Sequence, residues 1–284
     1  MQTVQTATLE LLEKTKTNYT VRKEELVTKD GLKTDSFGIF RNDTNDWLGT
    51  VGKQYAIFQN HQMAETVIEA SNQISQNYSG GTFQNGRKTY YQAKINDQIV
   101  GNDTLKRYVT ILNSHDGSSS TGFGMSNTVV SCQNTFYMAM KDVSKFRHSL
   151  TASERIRQTQ LQINEMLRIE SGLMDRFQKM ADTKITKKAI ELVVADLFKL
   201  KSEDFQKDLK DFSTRKSNEM KRFDNILKNE LASHGETMWG LFNAVTWKTN
   251  HDDAEPKKQA ENVMIGSGYT KNQNAFNIIN MQLV

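Results

Sequence analysis

The chain has 284 residues, 37% hydrophobic and 25% charged, with a formal net charge of +4. That composition is globular, on the polar side, and long enough for one large domain or two smaller ones. The single cysteine excludes an intrachain disulfide and fits a reducing cytoplasm. No run approaches the roughly eighteen uninterrupted apolar residues of a membrane span. Residues 1–6 show neither the basic nor the apolar part of a secretion leader, so a cytoplasmic protein without membrane contact is expected.

The charge is unevenly spread. Residues 1–140 balance 13 Lys and Arg against 13 Asp and Glu, residues 141–230 carry 20 against 15, and residues 231–284 carry 4 against 5. The middle excess allows a polyanionic partner without demanding one.

Residues 1–30 read as a polar helix or arm, with Leu9, Leu11 and Leu12 as the apolar cluster. From Ser36 to Phe58, aromatic and β-branched residues alternate with polar ones, and Gly38, Gly49 and Gly52 punctuate strands and turns. Lys53 and Tyr55 are placed on a strand. Asn60 reads as the N-cap of a helix reaching about Ile74. Residues 78–125 read as a β-meander, with turn signals at Gly80-Gly81 and Asn85-Gly86 and alternating strands over Lys88–Ile95 and Lys106–Leu112. A further strand is expected from Thr121 to Val130, and a helix through Phe136, Met138 and Met140.

The pattern changes at Thr151-Ala152-Ser153-Glu154, which matches a capping box ahead of a long helix. Helices follow over Thr186–Phe198, Thr214–Ala232 and Glu236–Trp247. Gly266-Ser267-Gly268 reads as a turn before a short helix around Ala275–Met281. The expected fold is α+β: an N-terminal antiparallel β-meander with flanking helices, then a mainly α-helical C-terminal half. The expected division is an arm or helix at 1–35, a mixed sheet and helix core domain at 36–148, and a helical region at 149–284 packing on that core.

Three groups of residues invite chemistry. His115-Asp116, with His148, His251, Asp252 or Asp253 in space, offers metal or acid–base ligand types, but no metal-binding spacing is present. The plainer reading makes Asp116-Gly117 a turn that His115 braces. Cys132 admits a nucleophile with His148 or His115 as base, yet its neighbours Val129, Val130 and Phe136 suit a small buried residue. Asn113, Ser114, Gln133 and Asn134 flank apolar segments; if buried they must be hydrogen-bonded, which makes a structural network joining hairpin and helix. Gly49-Thr50-Val51-Gly52-Lys53 lacks the spacer and hydroxyl of a phosphate loop.

Basic residues interleave with aromatics in Arg87-Lys88-Thr89-Tyr90-Tyr91, in Lys106-Arg107-Tyr108 and in Lys145-Phe146-Arg147-His148. Single-strand nucleic-acid sites use this combination, cations for phosphates and aromatic faces for bases. Ordinary sheets also show it, with rings inward and cations in water. The charged helical residues from Lys184 to Arg222 alternate in sign and read as solvated faces.

The chain resembles the phage/plasmid-like domain-of-unknown-function family. The matching segments are Leu48 to Tyr55 with Asn60, then Asn113-Ser114-His115-Asp116-Gly117-Ser118, then Cys132-Gln133-Asn134-Thr135, His148, Trp239 to Val245 with His251, and Gly266 to Phe276. The resemblance runs from about residue 36 to the end. It departs at Val129, where the family pattern often has a basic residue. It implies a mobile-element protein of a bacterial cytoplasm and no established activity. In outline, the arrangement of strands and helices is similar to that of Rad52-like phage annealing proteins, a fold-level analogy.

The leading expectation is a non-enzymatic, cofactor-free protein of a phage or plasmid that binds single-stranded DNA in recombination or replication and assembles as a homo-oligomer. Lys88, Arg107, Lys145 and Arg147 would hold phosphates, and Tyr90, Tyr91 and Tyr108 would stack bases. Asn113, Ser114, His115, Asp116, Gly117, Cys132 and Asn134 would form the structural motif presenting them. The alternative is an interaction protein that inhibits a host factor through an aromatic patch of Trp239, Phe242 and Trp247. A third reading is a metal-dependent enzyme built on His115 and Asp116.

Overall fold

The computed structural model describes residues 3–71, 74–75, 77–119, 121–129, 135–138, 145–146, 152–253, 255 and 258–283. Antiparallel sheets with flanking helices fill the N-terminal part, and the C-terminal half is mostly helical. The chain divides into two compact units. One holds Met1–Asn96, Arg107–Met125 and Ala139–Arg168; the other holds Asp97–Lys106, Ser126–Met138 and Ile169–Val284.

The first unit opens with helix α1 (Val4–Thr15). The Thr3 hydroxyl caps it by accepting from the Thr6 amide, and left-handed Lys16 closes it. A three-stranded antiparallel sheet follows, β1 (Val21–Val27), β2 (Lys33–Arg41) and β3 (Trp47–Gly52), in that order. Sequence reading missed β1, whose Val-Arg-Lys-Glu-Glu-Leu-Val run looks like a solvated arm. It is a strand because Val21 through Glu25 pair with Arg41 through Phe37 of β2, a long-range partnership that overrides propensity. Tyr19, Val21, Ile39, Leu48 and Val51 form this sheet's small core. Lys53 and Tyr55 lie beyond β3 rather than on it.

Helix α2 (Asn60–Ser71) buries Met63, Ala64, Val67 and Ile68 at helical spacing. The second sheet contains β4 (Tyr78–Phe83), β5 (Lys88–Val100), β6 (Asp103–Ser114), β7 (Thr121–Val129) and β8 (Thr135–Met138) in order. The two-residue β9 (Lys145–Phe146) also pairs with β7. The segment through Phe136 and Met138 is thus a strand rather than the expected helix. Its β-branched and aromatic Thr135-Phe136-Tyr137 favours a pleated partner once one is available.

In β5, buried and half-buried residues alternate. The inward set, Tyr91, Ala93 and Ile95, joins Val109 and Ile111 of β6, Leu11 and Leu12 of α1, and Met63, Val67 and Ile68 of α2 in one core. Each large aliphatic side chain among them contributes roughly 1.5–3 kcal/mol by leaving water. Gly80 and Gly81, read as a turn, sit inside β4 opposite Tyr91 and Tyr90. A Cβ on Gly80 would lie 2.5 Å from the Tyr91 ring, and one on Gly81 would lie 3.1 Å from the Tyr90 ring. Glycine here lets each tyrosine lie across the neighbouring strand.

The second unit contains the far part of helix α3 (Ala152–Asp182), α4 (Lys187–Phe198), α5 (Thr214–His234), α6 (Met238–Trp247), α7 (Gln259–Ile265) and α8 (Ser267–Met281). Thr186, Ser213 and Thr237 cap α4, α5 and α6 through their hydroxyls. Gly266-Ser267-Gly268 is the junction of two helices, and α8 starts eight residues before the expected position. Helix α6 is buried from Met238 to Thr246, which its apolar circumference requires. Trp239 and Phe242 pack with Phe177 and Phe276, so these rings fill a core rather than form an exposed anchor patch. Asp103 is tied into the same unit: its carboxylate accepts from Trp239 Nε1 at 2.6 Å and lies 2.7 Å from His234 Nδ1.

Candidate nucleic-acid interface

The Asn113–Ser118 segment ends β6 and turns back. The buried Asn113 amide donates to the Phe58 carbonyl at 3.1 Å, and its oxygen accepts from the Thr121 hydroxyl at 2.8 Å. The Ser114 carbonyl accepts from the Tyr55 hydroxyl at 2.8 Å, and the Ser114 hydroxyl donates to Asp116. Asp116 also accepts from the Ser118 amide at 2.9 Å. Burial pushes the Asp116 carboxyl up, but the hydroxyls of Ser114 and Ser118, the Ser118 amide and the nearby Lys88 charge outweigh it and hold it below the usual carboxylate range. Gly117 takes a φ of 72° and makes the turn.

His115 is fully buried. Its amide donates to the Arg87 carbonyl at 2.7 Å, and its Nε2 meets Asn60. The Asn60 side chain does not cap α2: its amide donates to the carbonyls of Thr17 and Tyr19. Strand β3 packs on the turn so closely that a Cβ on Gly49 would lie 2.7 Å from the Asp116 Cα. The segment therefore knits β3, β6, α2 and the chain after α1 together within the first unit. Such a site positions backbone; His115 and Asp116 turn to different partners. Among the described residues, no group of three or more His, Cys, Asp or Glu is arranged to hold a metal ion.

The outward face of β5 carries Lys88, Tyr90, Gln92 and Lys94, all half-buried. The Gln92 amide donates to the Thr110 hydroxyl of β6 at 2.9 Å, so by strand alternation Tyr108 lies on this same face. Tyr90 stacks on Phe83 of β4, with centroids 5.0 Å apart and planes 12° from parallel. Phe83 is the cross-strand partner of Lys88. The face thus gathers Lys88, Tyr90, Lys94 and Tyr108. Phe83 and Lys94 escaped sequence reading; their signal was register with Lys88 and period-two spacing from Tyr90, both visible only once β4 and β5 are paired.

The other expected residues separate. Tyr91 points inward and is fully buried, its hydroxyl hydrogen-bonded to Thr17 at 2.6 Å. Its ring is therefore core and offers no face to a base. Arg107 alternates away from Tyr108 and toward the side of Val109 and Ile111. Lys145 lies in β9, paired with Gly122. Arg147, Cys132 and Asn134 lie outside the described residues, as do Gln133 and His148.

A family model described as Domain of unknown function (DUF932) matches residues 47–274. No curated protein and no solved structure matches the chain.

Proposed function

The chain belongs to the DUF932 family, and on that premise we propose that it binds single-stranded DNA on the outward face of its second sheet. The supporting observation is the half-buried Tyr90, stacked on the buried Phe83, with Lys88 and Lys94 on the same face of one strand and Tyr108 beside them. The half-buried Tyr90 ring, held by Phe83 behind it, offers a surface for a base, and lysines six residues apart match a backbone tracked along a strand. The Asn113–Ser118 network fixes the end of β6 and so holds the platform. This reading makes the protein a non-enzymatic factor of a phage or plasmid, acting in recombination or replication and assembling into homo-oligomers that display bases in register.

Fluorescence anisotropy with a labelled single-stranded oligonucleotide tests it, at low and moderate salt, with duplex for comparison. Salt-sensitive binding that prefers the single strand is expected. Lys88→Ala with Lys94→Ala should weaken it at least tenfold and lower the salt slope by about 1.4, near 0.7 per lost phosphate contact. Equal affinity of wild type and double variant would remove the assignment.

A second reading, a protein that binds a host factor, is favoured by a different feature. A cavity of about 510 Å³ in the second unit is lined by Ile190, Val194, Phe198, Met220, Phe223 and Leu227. Phe205 and Leu209, on the link between α4 and α5, are 46% and 39% exposed. An amphipathic helix of a partner fits that chemistry. Capture of one stoichiometric host protein, lost on Val194→Asp and without DNA affinity, would decide for it. No helix among the described residues is long and apolar enough to cross a membrane.

A further inference from the structure

The turn between β4 and β5 holds three consecutive residues in the left-handed region, Gln84, Asn85 and Gly86, with φ of 53°, 57° and 91°. Among the described residues no other stretch has this. Asn85-Gly86 suits this conformation by itself, and Gln84 joins it; contacts from the first sheet brace the turn. The Tyr19 hydroxyl donates to the Gly86 carbonyl at 3.2 Å, and Arg41 Nη1 approaches the Asn85 carbonyl at 3.5 Å. The Arg41 guanidinium sits 3.8 Å from the centroid of the Tyr19 ring, and a two-point bond to Asp43 fixes it there.

The turn delivers the next residue, Arg87, onto a ring. Its guanidinium lies 5.2 Å from the centroid of Trp47, at the start of β3. Trp47 is 50% exposed, whereas Trp239 is 1% exposed and belongs to a core. A braced turn that places a guanidinium over a half-exposed indole suits a flat, π-rich guest, which gains from both the ring and the cation.

We propose that Trp47 and Arg87 form a stacking site for a single unpaired base, recognised by its flat face rather than by its phosphate. This rests on the single-strand binding reading and adds a second point of contact, in the same unit as the Tyr90 platform. Binding should therefore depend on bases as well as on charge at this corner.

The test follows intrinsic tryptophan emission and anisotropy together, using the full chain, an oligothymidylate and an abasic oligonucleotide of equal length. The oligothymidylate should quench emission on binding, while the abasic strand should bind more weakly and leave emission unchanged. Trp47→Phe should abolish the quench and keep affinity within about threefold, and Trp47→Ala should weaken the oligothymidylate about tenfold. Circular dichroism melts of both variants check that the fold is retained. Wild-type binding by anisotropy with no quench, and with Trp47→Ala binding as tightly, overturns this site and leaves the proposed function standing. No anisotropy change in wild type overturns both.

Discussion

The imidazole Nε2 of His115 lies 2.9 Å from the side-chain oxygen of Asn60, 55 residues earlier in the chain. The Asn60 amide nitrogen is committed to the carbonyls of Thr17 and Tyr19, so its oxygen must face the ring. His115 Nε2 therefore carries a proton and donates it. Both residues are buried, so each group left without its partner carries a desolvation penalty.

Asn60→Ala should lower stability by about 3 kcal/mol, through loss of three hydrogen bonds and stranding of the Thr17 and Tyr19 carbonyls. A urea melt followed by intrinsic tryptophan emission measures it. A double-mutant cycle with His115→Ala should show at least about 1 kcal/mol of coupling. Additive effects would mean the contact is incidental to the fold.

Gly49→Ala should cost about 2 kcal/mol or more, because its Cβ would press into the Asp116 backbone at 2.7–2.8 Å. Gly52→Ala on the same strand meets nothing within 4 Å and needs no left-handed φ, so it should be within about 0.5 kcal/mol of wild type. Thermal melts of the two variants make the comparison. Equal melting temperatures would show that β3 does not pack on the turn this closely.

The two adjacent tyrosines should part company. Tyr91→Phe removes the bond to Thr17 and should cost about 1 kcal/mol of stability while leaving oligonucleotide affinity unchanged. Tyr90→Ala should weaken binding five- to tenfold. Paired melts and anisotropy titrations check this; an affinity loss in Tyr91→Phe would contradict its inward placement.

The second unit should lose stability in acid. Burial pushes the Asp253 carboxyl up, but hydrogen bonds and charges from Lys248 and Lys271 outweigh it and hold it below the ordinary value. A depressed folded value stabilises above the unfolded value of about 4, and that contribution is lost as pH falls through the folded value. For Lys248 burial acts downward, yet Asp253 and Asp252 hold the ammonium pKa above its ordinary value, so its contribution is present below about 10 and lost as pH rises through the folded value. Asp253→Asn should therefore be less stable than wild type at pH 7 and converge on it toward pH 3. Urea midpoints across that range measure the difference, and parallel curves would show that Asp253 is not held in this way.

Local rules carried much of the architecture. Period-two alternation marked β5 and β6, Asn85-Gly86 marked a real turn, and the segments Thr186–Phe198 and Thr214–Ala232 marked α4 and α5. These signals are legible because each is written within one or two turns of chain. Lys88, Tyr90 and Tyr108 of the proposed interface could be named for the same reason; Phe83 and Lys94 could not.

Which of them share a face could not be. Tyr90 and Tyr91 are adjacent and chemically identical; pairing with Gly81 and Gly80 sends one ring outward and the other into the core. The charged strand β1, the glycines inside β4 and the strand at Thr135–Met138 all depend on partners distant in sequence. Asn60 was legible as a helix start, yet its side chain serves Thr17, Tyr19 and His115. The sequence by itself determined most of the helices, the strands with clear alternation and the family-bearing segments. Only tertiary structure decided register, facing and hydrogen-bond partners, because those free energies arise between residues that composition and spacing never bring together.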